Sequence, residues 1–309
     1  KHGYRVAVVP QPNWRDDLRD FRKLGAPRLY FGVNSGAMDS MVNHYTAAKR
    51  LRSDDAYTPE GKAGQRPDYA VTVYTKILKE IYPDIPVVIG GIEASLRRVT
   101  HYDYWQDALK PSILVDSGTD SLCYGMGERT MLEFTRAVEA GRNVSDIRKI
   151  PQLGFYMDGR CKTKDAVILN SYERCCRDKV AFAENFHVIE TYANMLHQPA
   201  LVEPVGNGYV QINPSWPPAT QQEMDSFWDL PYTKLPHPRY KGKHIPAFEM
   251  IKFSINTHRG CFGGCNFCTI AAHQGKFIQS RSEESILKEI NGLKALPGFA
   301  GNISDVGAP

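Results

Sequence analysis

Cys261, Cys265 and Cys268 stand as Cys-x-x-x-Cys-x-x-Cys within the stretch Cys261-Phe262-Gly263-Gly264-Cys265-Asn266-Phe267-Cys268. This spacing lets one short loop deliver three thiolates to one centre, and the adjacent glycines tolerate the positive φ angles and close approach of a tight turn. Thiolates favour soft transition metals, so iron–sulfur clusters and zinc are the two candidates. A structural zinc site closes with four ligands, whereas a four-iron cube on three cysteines leaves one iron open. His258 and His273 flank the loop as candidates for a fourth ligand. A zinc-binding interaction module without catalysis would use Cys261, Cys265, Cys268 and His273, and this alternative stays open at this level.

The elements around the triplet follow from local pattern. Ile251 to Thr257 alternates apolar and polar residues, which predicts a strand feeding directly into the cysteine loop. Ser282 is a helix N-cap followed by Glu283 and Glu284, and Ile286, Ile290, Leu293 and Leu296 mark one apolar face. Pro297-Gly298 ends that helix, and Asn302 to Val306 reads as the next strand. Residues 245–309 therefore read as the first βαβ unit of a larger α/β barrel, truncated at Pro309, and the 309 residues are expected to lack a working active site.

Upstream, residues 1–145 alternate strands and helices: strands at Tyr4 to Val9, Leu29 to Val33, Pro86 to Ile89 and Ser121 to Tyr124, a short apolar segment at Ser112 to Val115, and helices at Asp16 to Leu24, Tyr69 to Ile81 and Glu128 to Ala140. Such alternation predicts a Rossmann-like parallel sheet in an α/β protein, here with its first strand expected to be missing. Ligands on these sheets sit at the carboxyl ends of strands, where Gly90-Gly91 and Gly125-Met126-Gly127 fall, although neither matches a dinucleotide fingerprint. Tyr102, Tyr104 and Trp105, beside His101 and Asp103, read as core or interdomain packing, with the lining of a pocket as the alternative. Residues 146–244 read as a linking region with one helix, Phe182 to Leu196, and an irregular stretch carrying Pro199, Pro204, Pro214, Pro217 and Pro218.

Composition narrows the classes. A net charge of +4 is too small to imply a nucleic-acid partner by itself, and the basic stretch Lys234 to His244 is punctuated by prolines in the manner of a solvated connection. No apolar run approaches the roughly 20 residues that span a bilayer, which argues against a membrane partner. Of seven cysteines, Cys123, Cys161, Cys175 and Cys176 show no second metal spacing, and an odd count without a disulfide framework points to a reducing cytoplasm. The chain begins at Lys1, so its native N-terminus is expected to be absent.

The cysteine loop resembles that of the radical S-adenosylmethionine (SAM) superfamily. Longer strings are similar to the YgiQ family: Arg259-Gly260-Cys261-Phe262-Gly263-Gly264-Cys265, Gln279-Ser280-Arg281-Ser282, Ser304-Asp305-Val306-Gly307, Met38-Asp39-Ser40-Met41, Gly90-Gly91-Ile92-Glu93-Ala94-Ser95-Leu96-Arg97-Arg98 and His101-Tyr102-Asp103-Tyr104-Trp105. The resemblance implies a 4Fe-4S cluster on Cys261, Cys265 and Cys268 whose open iron binds SAM, reductive cleavage to a 5′-deoxyadenosyl radical, an unknown substrate, and an electron donor of flavodoxin or ferredoxin type. It further implies that Phe267 contacts the adenine and that Asp305, Gly307 and Ala308 reach the methionine end of SAM, with Ala308 standing where a second glycine is more usual. The N-terminal half resembles cobalamin-binding-like domains, yet no Asp-x-His-x-x-Gly occurs, so the motif that supplies histidine to cobalt is missing. A second alternative, an RNA-modifying radical SAM enzyme, would use the basic and aromatic surfaces.

Overall fold

Val87, Val88 and Ile89 are buried on both sides of the backbone, the environment in which a continuous β-branched run becomes a central parallel strand. The computed structural model describes residues 2–161 and 163–307. The chain forms two units. One comprises Asn13–Val42 and Pro67–Pro217, the other Lys1–Pro12, Asn43–Arg66 and Pro218–Pro309.

The first unit is built on strands β1 (Phe31–Val33), β2 (Val87–Gly90), β5 (Ser121–Cys123), β6 (Leu153–Asp158), β7 (Val167–Ile168), β8 (Leu201–Val205) and β9 (Gly208–Ile212), with a separate hairpin of β3 (His101–Asp103) and β4 (Ala108–Lys110). The seven-stranded order is β1-β2-β5-β6-β9-β8-β7. β1, β2 and β5 run parallel, while β6, β9 and β8 join as antiparallel neighbours. The helix Ala70–Ile81 buries Ala70, Val71, Tyr74 and Leu78 on the face carrying Val87, Ile89 and Leu122. The helix Glu128–Glu139 buries Phe134 on the opposite face, against Val88, Leu153 and Phe155. Helices on both faces of the sheet make this an α/β architecture.

The structure departs from the sequence expectations at residues 4–9 and 146–244, and it assigns the short apolar segment between them. Residues 4–9 form no strand; Val6 and Val8 stay exposed and pair with no described strand, so β propensity alone does not order them. Ser112 to Val115 belongs to a helix, Ile113–Ser117, because the Ser112 hydroxyl accepts the Leu114 N–H as an N-cap and Gly118 takes the left-handed C-cap conformation. Residues 146–244 hold more regular structure than a linking region with one helix. They supply β6 to β9 and the helix Lys179–Ala193, and the proline-rich stretch holds the β8–β9 hairpin, turned by Gly206 at positive φ. Pro204 is tolerated in β8 because β7 pairs only with Leu201 and Val202, so no ladder bond is lost on that side.

The second unit contains β10 (Ser254–Asn256), β11 (His258–Arg259), β12 (Gln279–Ser280) and β13 (Asp305–Gly307). β10 and β13 are parallel, with the helix Glu283–Leu293 between them in sequence, while β11 and β12 are antiparallel. The Ser282 hydroxyl accepts the Ser285 N–H, as its N-cap position predicts. Among the described residues, no helix is long and apolar enough to cross a membrane.

Candidate metal centre

β11 and β12 bracket the cysteine loop as a neck, with His258 opposite Ser280 and Arg259 opposite Gln279. Just inside the neck the Gly260 N–H donates to Gln274 Oε1 at 3.1 Å, and the Cys261 N–H donates to Gly275 O at 3.1 Å. Gly260 has φ +82°, and a Cβ there would lie 2.1 Å from Phe277 O, so the crossing of the two chain segments admits no side chain. The loop thus returns on itself through backbone bonds, with the short helix Ile270–Gln274 on its returning side.

Within the loop, Gly263 lies beside two thiols. A Cβ on Gly263 would stand 3.3 Å from Cys261 Sγ and 3.9 Å from Cys265 Sγ, and its N–H points to Cys261 Sγ at 3.4 Å. The Cys268 N–H donates to Cys265 O at 3.1 Å, tying the second and third cysteines through the backbone. All three are free thiols; Cys261 and Cys268 are half-buried and Cys265 is exposed. Two of the sulfurs lie within 4 Å of the Gly263 Cβ position and the third cysteine follows one turn onward, and thiols are the soft donor type that an iron–sulfur group takes. Among the described residues, no three His, Cys, Asp or Glu side chains are gathered closely enough to hold a metal ion, so neither the cysteine triplet nor its combination with His273 is closed into a coordination shell.

The remaining sequence-picked residues distribute unevenly. Phe267 is 90% exposed and Phe262 83%, so both loop aromatics present free faces to solvent. Gly307 stands opposite Asn256 at the carboxyl end of the β10–β13 pair, and its carbonyl accepts the Thr257 N–H at 2.9 Å. Asp305 is exposed opposite Ser254, one strand length earlier. Ala308 lies outside the described residues. Gly307 therefore shares with the cysteine loop the carboxyl end of one parallel pair, the end at which α/β barrels carry their chemistry. His258 Nδ1 lies 3.0 Å from Thr257 Oγ1.

Sequence reasoning missed the frame behind the loop. The helix Gln221–Trp228 starts with a reciprocal Thr220–Glu223 capping box, and Asp225 accepts the Ser282 N–H at 2.9 Å. The Ala219 N–H donates to Gln279 Oε1 at 2.7 Å. The buried Arg281 guanidinium bonds Asn256 O at 2.7 Å and Ser285 O at 2.9 Å and pairs with Glu289, which also pairs with Lys234. Only the capping pattern Thr-x-x-Glu signals this helix in the sequence.

In the first unit, the glycine turns serve close packing. A Cβ at Gly91, whose φ is +79°, would meet Asn34 Cβ at 3.2 Å, and one at Gly90 would meet Cys123 O at 3.1 Å. Tyr102 and Tyr104 are exposed on the β3–β4 hairpin rather than packed in a core. A hollow of about 530 Å³ opens along Ile168, Val180 and His187, and none of the sequence-picked residues lines it.

The family described as Radical SAM N-terminal matches residues 1–254, a span that ends before Cys261. A UPF0313 protein of Bacteroides thetaiotaomicron is 55% identical over 320 residues, covering 99% of this chain and 52% of that protein. A UPF0313 protein of Geobacter sulfurreducens is 48% identical over 309 residues, covering all of this chain and 51% of the relative. The UPF0313 protein YgiQ of Escherichia coli is 42% identical over 363 residues, with 99% and 49% covered. The chain thus spans about half the length of these relatives. Among solved structures, the radical S-adenosylmethionine methyltransferase TsrM of Kitasatospora setae, with cobalamin and a [4Fe-4S] cluster bound, matches at 18% identity and a TM-score of 0.45, covering 91% of this chain and 38% of that one. The expectation that the 309 residues lack a working site gains no support from the structure or the relatives.

Proposed function

This chain belongs to the Radical SAM N-terminal family, and from that premise we propose that it holds a 4Fe-4S cluster on Cys261, Cys265 and Cys268 and uses SAM. The observation that carries the proposal is the closed loop in which Gly263 lies beside the thiols of Cys261 and Cys265 while Cys268 follows one turn later. When bound, the cluster and SAM together supply reductive cleavage of a carbon–sulfur bond.

This chain's own residues prepare for that chemistry. Gly260 closes the loop, and the hydrogen bonds from Gly260 and Cys261 set the first cysteine at the neck. The exposed face of Phe267 is available to stack on an adenine ring. The carboxyl end of β13 at Gly307, bonded to Thr257, borders the loop where a small-molecule ligand of an α/β barrel binds. Asp305, earlier on the same strand, extends this edge. The reading includes a small redox protein as electron donor and leaves the substrate unassigned.

Anaerobic reconstitution with iron and sulfide, reduction with dithionite and incubation with SAM tests the reading. Accumulation of 5′-deoxyadenosine, abolished by Cys265→Ser, is the expected outcome. SAM left intact by a reconstituted protein that carries iron and sulfide overturns it.

A further inference from the structure

Trp228 ends the helix Gln221–Trp228, far from the cysteines in sequence, yet it faces both strands of the loop neck. The Arg259 guanidinium lies 4.5 Å from the Trp228 ring centroid and the Arg281 guanidinium 5.0 Å. Arg259 is the last residue of β11, immediately before Gly260-Cys261, and Arg281 immediately follows β12. One indole therefore contacts a cation at each side of the neck through which the loop leaves and returns. Phe227 lies farther from Arg259, at 5.7 Å, and carries no contact to Arg281 of this kind among the described pairs.

The two arginines are not equivalent. Arg281 is nearly fully buried and locked by Glu289, Ser285 and Asn256, so it is a fixed point. Arg259 is half-buried and belongs to the two-residue strand β11. An indole face is the best aromatic partner for a guanidinium, and partial burial strengthens the attraction. The stack transmits the fixed position of Arg281 to Arg259 and so to the backbone of Gly260 and Cys261. The helix carrying Trp228 is itself tied to the return strand through Ala219 to Gln279, Gln221 to Arg281 and Asp225 to Ser282.

We propose that Trp228 is a positioning residue for the metal-binding loop, clamping Arg259 and Arg281 so that the thiol of Cys261 is held ready for iron; this rests on the assignment of Cys261, Cys265 and Cys268 as iron ligands. Trp228 touches no reacting group. Its contribution is to limit opening of the neck in the metal-free protein and thereby raise affinity for the metal.

Two readouts on Trp228→Leu and Trp228→Tyr separate this role from ordinary packing. Leucine keeps apolar bulk without an aromatic face, and tyrosine restores the face. In the metal-free protein, amide hydrogen exchange over residues 258–281 rises in Trp228→Leu and returns toward the wild-type rate in Trp228→Tyr, while exchange in the seven-stranded sheet is unchanged. Anaerobic iron titration shows an affinity about tenfold weaker for the leucine variant, the scale on which loss of support around metal ligands acts, with recovery in the tyrosine variant. Unchanged exchange across the neck in Trp228→Leu, or equal loss in both variants, overturns the clamp. Wild-type protein whose neck behaves as described but which takes up no iron overturns the assignment of the cysteines instead.

Discussion

Gly260 and Gly264 sit in the same loop, yet their substitution carries opposite expectations. At Gly260 a methyl group would enter the space of Phe277 O, and the backbone holds φ at +82°. Gly260→Ala should lower the unfolding free energy of its unit by roughly 2–4 kcal/mol, since it combines steric overlap with a strained conformation. At Gly264 nothing lies within 4 Å of the Cβ position, so Gly264→Ala should change stability by less than about 0.5 kcal/mol. Urea unfolding of the two variants side by side checks the contrast; equal effects would mean that the Gly260–Phe277 crossing does not organise the loop. The cysteine spacing makes the chemistry legible in the sequence, because thiolate number and separation are local properties. The contrast between these glycines is not legible there, since it depends on Phe277 crossing from the other side.

At the scale of elements, the hairpin β3–β4 is tied to strand β8 by one buried carboxylate. Glu203 accepts the Thr100 N–H at 3.2 and 2.9 Å through its two oxygens. Burial pushes Glu203 up from 4.5 to about 7, while the neighbouring His101 is pulled down from 6.5 to about 4 by burial and by the Arg97 charge. The signs oppose each other. The folded state holds the Glu203 proton more tightly than the unfolded chain, so this group's contribution to stability is full below about pH 4.5 and falls as pH rises to about 7. His101 is neutral when folded, so its contribution is full above about pH 6.5 and is lost as pH falls toward 4. Glu203→Gln should therefore leave a profile that rises between about pH 4 and 6.5, and His101→Asn one that falls between about pH 4.5 and 7, each by roughly 1–3 kcal/mol. Urea midpoints measured from pH 4 to 8 read this directly. Identical profiles for both variants and wild type would contradict the two environments.

Element types were legible where periodicity is long: Ala70–Ile81, Glu128–Glu139 and Glu283–Leu293 all carry an apolar stripe or a capping signal. They were hidden where pairing is distant. β7 has two residues, and β8 carries a proline, so neither shows a strand pattern until its neighbours are known. Residues 4–9 show the converse, a β-branched run that finds no partner.

The whole molecule divides its tasks between a seven-stranded sheet and a unit that carries the cysteine loop. The sequence alternation at the start foretells the parallel part of that sheet, but not the antiparallel extension by β6, β9 and β8, because such strands are recruited by long-range pairing. The resemblance to the YgiQ family, drawn from strings across both units, agrees with UPF0313 relatives matched along nearly the full chain. The account's central claim is that Cys261, Cys265 and Cys268 together hold an iron–sulfur cluster. The most direct measurement is iron, acid-labile sulfide and zinc content, with the visible spectrum, of the anaerobically reconstituted wild-type chain and its three single Cys→Ser variants. The account predicts about four irons and four sulfides per chain, a brown chromophore, and loss of both in each variant. Stoichiometric zinc in a colourless protein, or iron uptake indifferent to all three substitutions, would contradict it.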